Sequence, residues 1–228
     1  MELLRFSGRL FQTLMLSIMG LIFVGVGIFT GFFLSRDAQN EAERVAALAP
    51  MTRQAVERAA PGSPVLIEAV VSRRNPATFR TFVAYVREEY HGRDSDGDDD
   101  WREDERVTPP LLLDLDGGVV AISNADYRIS RYHEKWQEGT TLYWNGLKGE
   151  GTKRYTGLVA GGPLLVIGTI QDGREGNTIH AERVFGGSQA EYIENQRSTA
   201  RFLPFFGLIF GVVGLILLGV GVKKLLVG

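Results

Sequence analysis

Leu10-FQTLMLSIMGLIFVGVGIFTGFF-Leu34 holds 25 consecutive residues without a charge, and Phe202-LPFFGLIFGVVGLILLGVG-Val222 repeats this over 21. A helix rises about 1.5 Å per residue and needs roughly 20 apolar residues to cross a hydrocarbon core of about 30 Å, so each run is long enough to span. The first run far exceeds the apolar stretch of about 7–15 residues typical of a cleaved signal, which predicts an anchor rather than a leader. The fold class that follows is membrane α plus all-β. Two transmembrane helices flank a small antiparallel β-sandwich or barrel-like domain.

The flanking charges do not choose between the two orientations. Arg5 and Arg9 precede the first run and Lys223 and Lys224 follow the second, while Arg36, Arg44, Arg197 and Arg201 lie on the opposite side. That is a tie by the positive-inside count. The intervening 167 residues (35–201) form a segment long enough to translocate largely regardless of charge. The expectation is an integral protein of the plasma (cell) membrane with both termini cytoplasmic and the β domain outside.

Within the runs, small residues share one helical face. Thr13, Ser17, Gly20, Gly27 and Gly31 fall at offsets 0, 4, 7, 14 and 18, and Gly207, Gly211, Gly214 and Gly221 at 0, 4, 7 and 14. Such stripes let helix backbones approach closely where lipid removes the usual hydrophobic drive for association. Ser17, Gly20, Gly27, Gly31, Gly207, Gly211, Gly214 and Gly221 are therefore the expected helix-packing residues, either in a hairpin of the two spans or against another membrane subunit. Neither run carries an ionisable residue, which argues against an ion or proton path.

Between the runs the pattern changes. Residues 36–60 read as a helix continuing from the first span, kinked at Pro50 and broken by Pro61-Gly62-Ser63-Pro64. Short β-like segments follow: Val65–Val71, Thr78–Tyr90, Trp101–Val107, Leu111–Leu115, Val119–Ser123, Tyr127–Ser130, Arg154–Val159, Leu164–Ile170 and Thr178–Val184. Asp116-Gly117-Gly118 marks a hairpin turn. Ser188, with Glu191 three residues on, reads as a capping box opening a helix that Pro204 bends on its way into the second span. The expected organisation is a short cytoplasmic N-terminus (1–9), a first span (10–34), a helical stalk (35–60), a β-rich domain (61–186), a second stalk (187–201), a second span (202–222) and a short cytoplasmic tail (223–228).

Three segments resemble a known family: 110–122 (PLLLDLDGGVVAI), 158–168 (LVAGGPLLVIG) and 185–195 (FGGSQAEYIEN). With the order span, β domain, span, they look like the GIDE ("besides a membrane") domain, found in mitochondrial outer-membrane RING ubiquitin ligases and in many prokaryotic proteins. The resemblance covers about residues 60–222. Those ligases act through a RING whose zinc ions need Cys and His ligands. This chain has no Cys and ends six residues after the second apolar run, so ligase activity does not carry over and no catalytic residue maps onto it.

Composition narrows the chemistry further. The 25 Lys and Arg against 27 Asp and Glu give a net charge of −2, unlike a dedicated nucleic-acid binder, so no nucleic-acid partner is expected. The absence of Cys excludes disulfides, thiol nucleophiles and Cys-ligated metals. Only His91, His133 and His180 are present, and none accompanies a nucleophile or phosphate-loop motif. His133, in Arg131-Tyr-His-Glu-Lys-Trp136, is the one candidate base.

The acidic run Asp94-Ser-Asp-Gly-Asp-Asp-Asp100 places Asp94, Asp96, Asp98 and Asp100 around a Gly turn, as in loops that hold Ca2+ through six to eight oxygens. Its alternative is a solvated hairpin tip that keeps a sheet edge from pairing. Tyr127, Tyr132, Trp136, Tyr143, Trp144 and Tyr155 serve either a domain core or a surface patch. Taken together, the residues predict a non-enzymatic two-span protein with no catalytic residue and no cofactor. It would serve as a scaffold or accessory subunit, its partners being the lipid bilayer and other membrane subunits or a second copy. The alternative is a Ca2+-binding or enzymatic domain using residues 94–105.

Overall fold

The computed structural model describes residues 2–174 and 176–227; the side chains of 2–10, 12 and 225–227 fall outside that description, and with them Arg5 and Arg9 of the charge count. The chain divides into two units, residues 1–47 with 193–228, and residues 48–192.

The first unit is helical. α1 (Glu2–Ile28) passes through a π-helical turn (Phe29–Leu34) into α2 (Ser35–Ala46), and the C-terminal helix (Gln189–Val227) is a single rod of 39 residues. Segments Thr13–Ala46 and Gln189–Lys224 are both long and apolar enough to cross a bilayer. Only 11% and 17% of their most apolar windows are buried within the protein, unlike core helices of a soluble fold.

The second unit begins with α3 (Arg53–Arg58). Among the described residues twelve strands follow: β1 (Pro64–Val71), β2 (Phe82–Arg93), β3 (Asp99–Val107), β4 (Leu111–Leu115), β5 (Gly118–Ile122), β6 (Arg128–Arg131), β7 (Glu134–Gln137), β8 (Trp144–Asn145), β9 (Glu150–Gly151), β10 (Lys153–Val159), β11 (Pro163–Gly173) and β12 (Gly176–Phe185). The C-terminal helix, α4, comes after them. Five strands close a barrel in the order β11-β1-β4-β5-β12, with β12 returning to β11. All these pairings are antiparallel except β5–β12, where Ile122 faces Ile179 in parallel. The domain is thus a closed barrel rather than a sandwich, with the strand order of an OB-type barrel, an architecture that supports many functions.

Alternation fills the interior. Val65, Ile67 and Val71 of β1, Leu111 and Leu113 of β4, Val120 and Ile122 of β5, Leu164, Val166 and Ile170 of β11, and Ile179 and Val184 of β12 form one buried cluster. Val56 of α3 joins it, and the Asn177 amide holds the helix end by donating to the carbonyls of Val56 (2.8 Å) and Ala59 (2.7 Å). Two insertions build a second sheet, β3-β2-β10-β7: the β2–β3 hairpin leaves the barrel between β1 and β4, while β7 and β10 leave it between β5 and β11.

Two local readings change. The helix expected over 36–60 stops at Ala46, and α3 restarts after Thr52, whose hydroxyl accepts from the Ala55 N–H at 3.3 Å. Pro50 between them has no N–H and restricts Ala49, so a break replaces a kink. Residues 48–60, expected as stalk, belong to the β unit. The strand expected from Thr78 begins at Phe82, because Phe79 and Phe82 exchange backbone hydrogen bonds around a tight turn with Arg80 at φ +52°. The capping box is present: the Glu191 carboxylate accepts from the Ser188 N–H at 2.9 Å, and the Glu191 N–H donates back to the Ser188 hydroxyl at 3.2 Å.

Ile67→Ala, deep in the barrel, is expected to cost about 3 kcal/mol in urea unfolding followed by circular dichroism, whereas Val70→Ala on the exposed face costs less than about 0.5 kcal/mol.

Candidate functional site

The expected packing residues meet along one seam inside the helical unit. A Cβ added at Gly27 would lie 2.6 Å from the Gly207 carbonyl oxygen and 2.8 Å from the Gly211 nitrogen. One added at Gly20 would lie 2.8 Å from the Gly214 oxygen, and one at Gly221 would lie 2.8 Å from the Ser17 hydroxyl. Partner numbers fall on one helix as they rise on the other, so the two helices run antiparallel with backbones touching. No larger residue fits at Gly20 or Gly27, where the opposing atoms include backbone, whereas at Gly221 the nearest atom is the movable Ser17 hydroxyl. Gly211 differs: its nitrogen faces Gly27, but a Cβ of its own would meet nothing within 4 Å. Phe23 and Phe210 add a ring contact at 5.7 Å.

Ser35 and Pro204 complete the seam. Pro204 lies inside α4 and has no N–H, which strips the Ala200 carbonyl of its helical donor. The Ser35 hydroxyl of the opposite helix donates to that carbonyl at 2.8 Å. An unmet carbonyl is costly near hydrocarbon, so the two helices repair in concert a defect that one contains. The sequence offered Pro204 only as a bend. Its pairing with Ser35 depends on helix register, which spacing does not supply.

The acidic run forms the β2–β3 hairpin tip. The Asp94 carboxylate accepts from the N–H groups of Asp96 and Asp98, both at 2.9 Å, with Gly97 at φ +89°. Asp100 accepts from Arg102 at 2.6 Å, and Asp99 pairs with Arg93 at 3.8 Å. Asp94 thus shapes the turn while Asp100 is held by a cation. Among the described residues no three His, Asp or Glu side chains converge as metal ligands.

His133 accepts the Val159 N–H at Nδ1 (3.1 Å), so its proton sits on Nε2, which donates to the Pro163 carbonyl at 2.7 Å. Both ring nitrogens are occupied in bracing the β10–β11 turn. His91 lies beside Glu89 (3.5 Å) and over the Trp144 ring, and His180 sits on β12 opposite Thr169.

The densest charged group was not visible in the sequence. On the second sheet, Lys153 contacts the carboxylates of Glu89 at 2.5 Å and Asp104 at 3.1 Å. Arg87 reaches Asp104 at 2.9 Å and Glu105 at 2.8 Å, while Glu89 also accepts the Gly151 N–H at 2.7 Å. Burial raises the Glu89 carboxyl, but Lys153 and the Gly151 N–H outweigh it and hold it below the usual range. Burial likewise raises Asp104, while Arg87 and Lys153 bring it down. Lys153 is raised: burial lowers it and the two carboxylates overcome that. An ammonium clamped between carboxylates is a poor base or nucleophile, so the group acts as a staple joining β2, β3 and β10.

Beside the staple, Phe79 stacks on Tyr155 at 4.1 Å, and Trp136 and Tyr85 close the cluster. Tyr127 is buried, with its hydroxyl donating to the Pro109 carbonyl at 2.8 Å. Tyr143 is exposed and Tyr132 and Trp144 are half-buried, so the aromatic residues divide between core and surface. Among the described residues no buried side-chain polar atom lacks a partner.

Because Glu89 and Asp104 titrate lower in the folded than in the unfolded chain, their stabilisation is complete above the unfolded carboxylate pKa. It fades as pH falls below about 4.5 and through the folded values. Glu89→Gln is expected to flatten that decline while lowering stability at pH 7 by about 1–3 kcal/mol. Urea midpoints from pH 7 to pH 3 test this; parallel curves for the two proteins would remove Glu89 from the account.

Comparison with known protein families, with curated proteins and with solved structures finds no match to this chain.

Proposed function

We propose that the chain is a non-enzymatic, two-span membrane protein whose helical hairpin anchors a GIDE-like β domain as a scaffold or accessory subunit of a larger membrane assembly. The observation that carries this reading is the seam. Its backbones close on glycine while the remaining faces stay large and apolar, with Phe202, Leu208, Leu215 and Ile216 all exposed. Such faces find partners in acyl chains and in other membrane helices.

The β domain supports a binding rather than a catalytic role. Its His133, Lys153, Glu89 and Asp104 are each engaged in holding strands together. The segments that resemble the GIDE domain fall on the β4–β5 hairpin, the β10–β11 turn and the β12–α4 junction, the parts that close the barrel and lead into the second helix. The reading extends to the plasma membrane, with both termini cytoplasmic and the domain outside.

Alkaline carbonate is expected to leave the chain in the membrane pellet, and protease added to intact cells is expected to cleave within residues 48–192. After mild extraction into nanodiscs, native mass measurement is expected to exceed the monomer. Gly27→Leu, which drives a side chain into the Gly207 backbone of the same chain, is expected to loosen the hairpin and lower its thermal stability in nanodiscs. A stable monomer from native membranes would defeat the accessory-subunit role.

A further inference from the structure

The β8–β9 hairpin ends in the turn Asn145-Gly-Leu-Lys148, closed by the Lys148 N–H donating to the Asn145 carbonyl at 3.0 Å. Turns of this kind favour Gly, Asn, Asp and Ser. Here the third position is Leu147, whose side chain is 101% exposed, and Tyr143 four residues earlier is 57% exposed. Across residues 48–192 the exposed large apolar side chains are Leu48, Val70, Tyr143 and Leu147, so two of the four share this one tip.

The base beneath the tip is stiff. The Trp144 indole lies over the His91 ring with centroids 4.3 Å apart. A Cβ at Gly92, Gly146 or Gly151 would come within 3.2, 3.3 or 3.0 Å of that indole. Tyr143 donates its N–H to the Thr152 hydroxyl and accepts the Thr152 N–H at its carbonyl, both at 2.9 Å. This packed platform lifts a leucine fully into solvent, where it adds nothing to the domain's own core.

We propose that this tip seats in a lipid bilayer interface, with Leu147 among the upper acyl carbons, Tyr143 at headgroup depth and Lys148 at the phosphates. A leucine, a tyrosine and a lysine together are the chemistry of that boundary. Residues 35–47 and 193–201 are the whole length of chain joining residues 48–192 to the two apolar runs. As helices these connectors are at most about 20 Å long, so the domain stays near the bilayer and a contact too weak to recruit a free domain can still form. The proposal rests on the spanning assignment of those runs.

Because the chain has no cysteine, one introduced thiol reports one place. Tyr143→Cys in the full chain, labelled with the fluorophore NBD and reconstituted in phosphatidylcholine–phosphatidylglycerol vesicles, leaves Leu147 intact. Asp98→Cys, at the acidic tip, is the comparison. Doxyl-labelled phosphatidylcholine is expected to quench the label at 143 at least about twofold more than the label at 98, with iodide showing the reverse order. Leu147→Asp in the Tyr143→Cys background is expected to abolish the difference.

Equal lipid quenching at 143 and 98 overturns the proposal, as does quenching that survives Leu147→Asp. Protection from iodide without lipid quenching overturns it in favour of a protein surface over the tip. Carbonate washing of the same vesicles keeps the two readings apart. Retained chain with an unquenched tip defeats the tip alone, whereas released chain defeats the spans and the tip together.

Discussion

Closure of the barrel depends on one long-range pairing, that of Pro64–Val70 in β1 with Pro163–Thr169 in β11. Almost a hundred residues separate the two strands, so their meeting carries a large loop-closure entropy that the apolar interior must offset. Once Ile67 lies beside Val166, the odd-numbered residues of β1 and the even-numbered residues of β11 share one interior. A slip by one residue would turn both sets outward, so the pairing is specified by the core it creates. The second sheet is an insertion into this ring. The β2–β3 hairpin and the β6–β10 excursion are loops of a barrel that have acquired a sheet of their own, pinned by Lys153 between Glu89 and Asp104.

Much of this was legible in the sequence because it rests on local periodicity. The two apolar runs coincide with the two long apolar helices, and each segment read as a strand overlaps one, although that expected from Thr78 begins at Phe82. Apolar and β-branched residues bounded by turn signals leave that trace. The capping box was legible because its three-residue spacing is itself the geometry. What escaped the reading was set by distant neighbours. β7, β8 and β9 are two to four residues long and carry Glu, Lys, Gln and Asn, so they become strands through β10 or through each other rather than by propensity. The choice of closed barrel over sandwich turned on the parallel β5–β12 contact, which spacing along the chain does not encode.

The same division holds for the candidate site residues. The glycine stripes were readable as faces, and the seam brings Gly20, Gly27, Gly31, Gly207, Gly214 and Gly221 against opposing backbone or side chains, while the Gly211 backbone faces Gly27 but a side chain there would meet open space. Ser35 was invisible as a seam residue because its role exists only opposite the Ala200 carbonyl that Pro204 leaves without a donor. The acidic run illustrates the converse. Its spacing resembled a cation loop, but one Asp94 oxygen accepts two backbone N–H groups and Asp100 pairs with Arg102. Composition alone could not separate carboxylates that converge on a ligand from carboxylates that shape a turn.

Satisfied polar groups hold the domain together. Among the described residues the buried side-chain polar atoms all have partners, and a lysine clamped by two carboxylates and a histidine with both nitrogens engaged tie its strands to one another. What remains available are the places where sequence and local physics disagree. Arg80 holds a positive φ at the Phe79–Phe82 turn, where Gly would be unstrained, and lays its guanidinium over Trp136 at 4.4 Å. That contact returns part of the strain inside the fold. Leu147 has no such return, since nothing in the domain covers it. The rigid aromatic base thus holds an apolar side chain out at a turn, and the lipid contact proposed for it would supply the return that the domain does not.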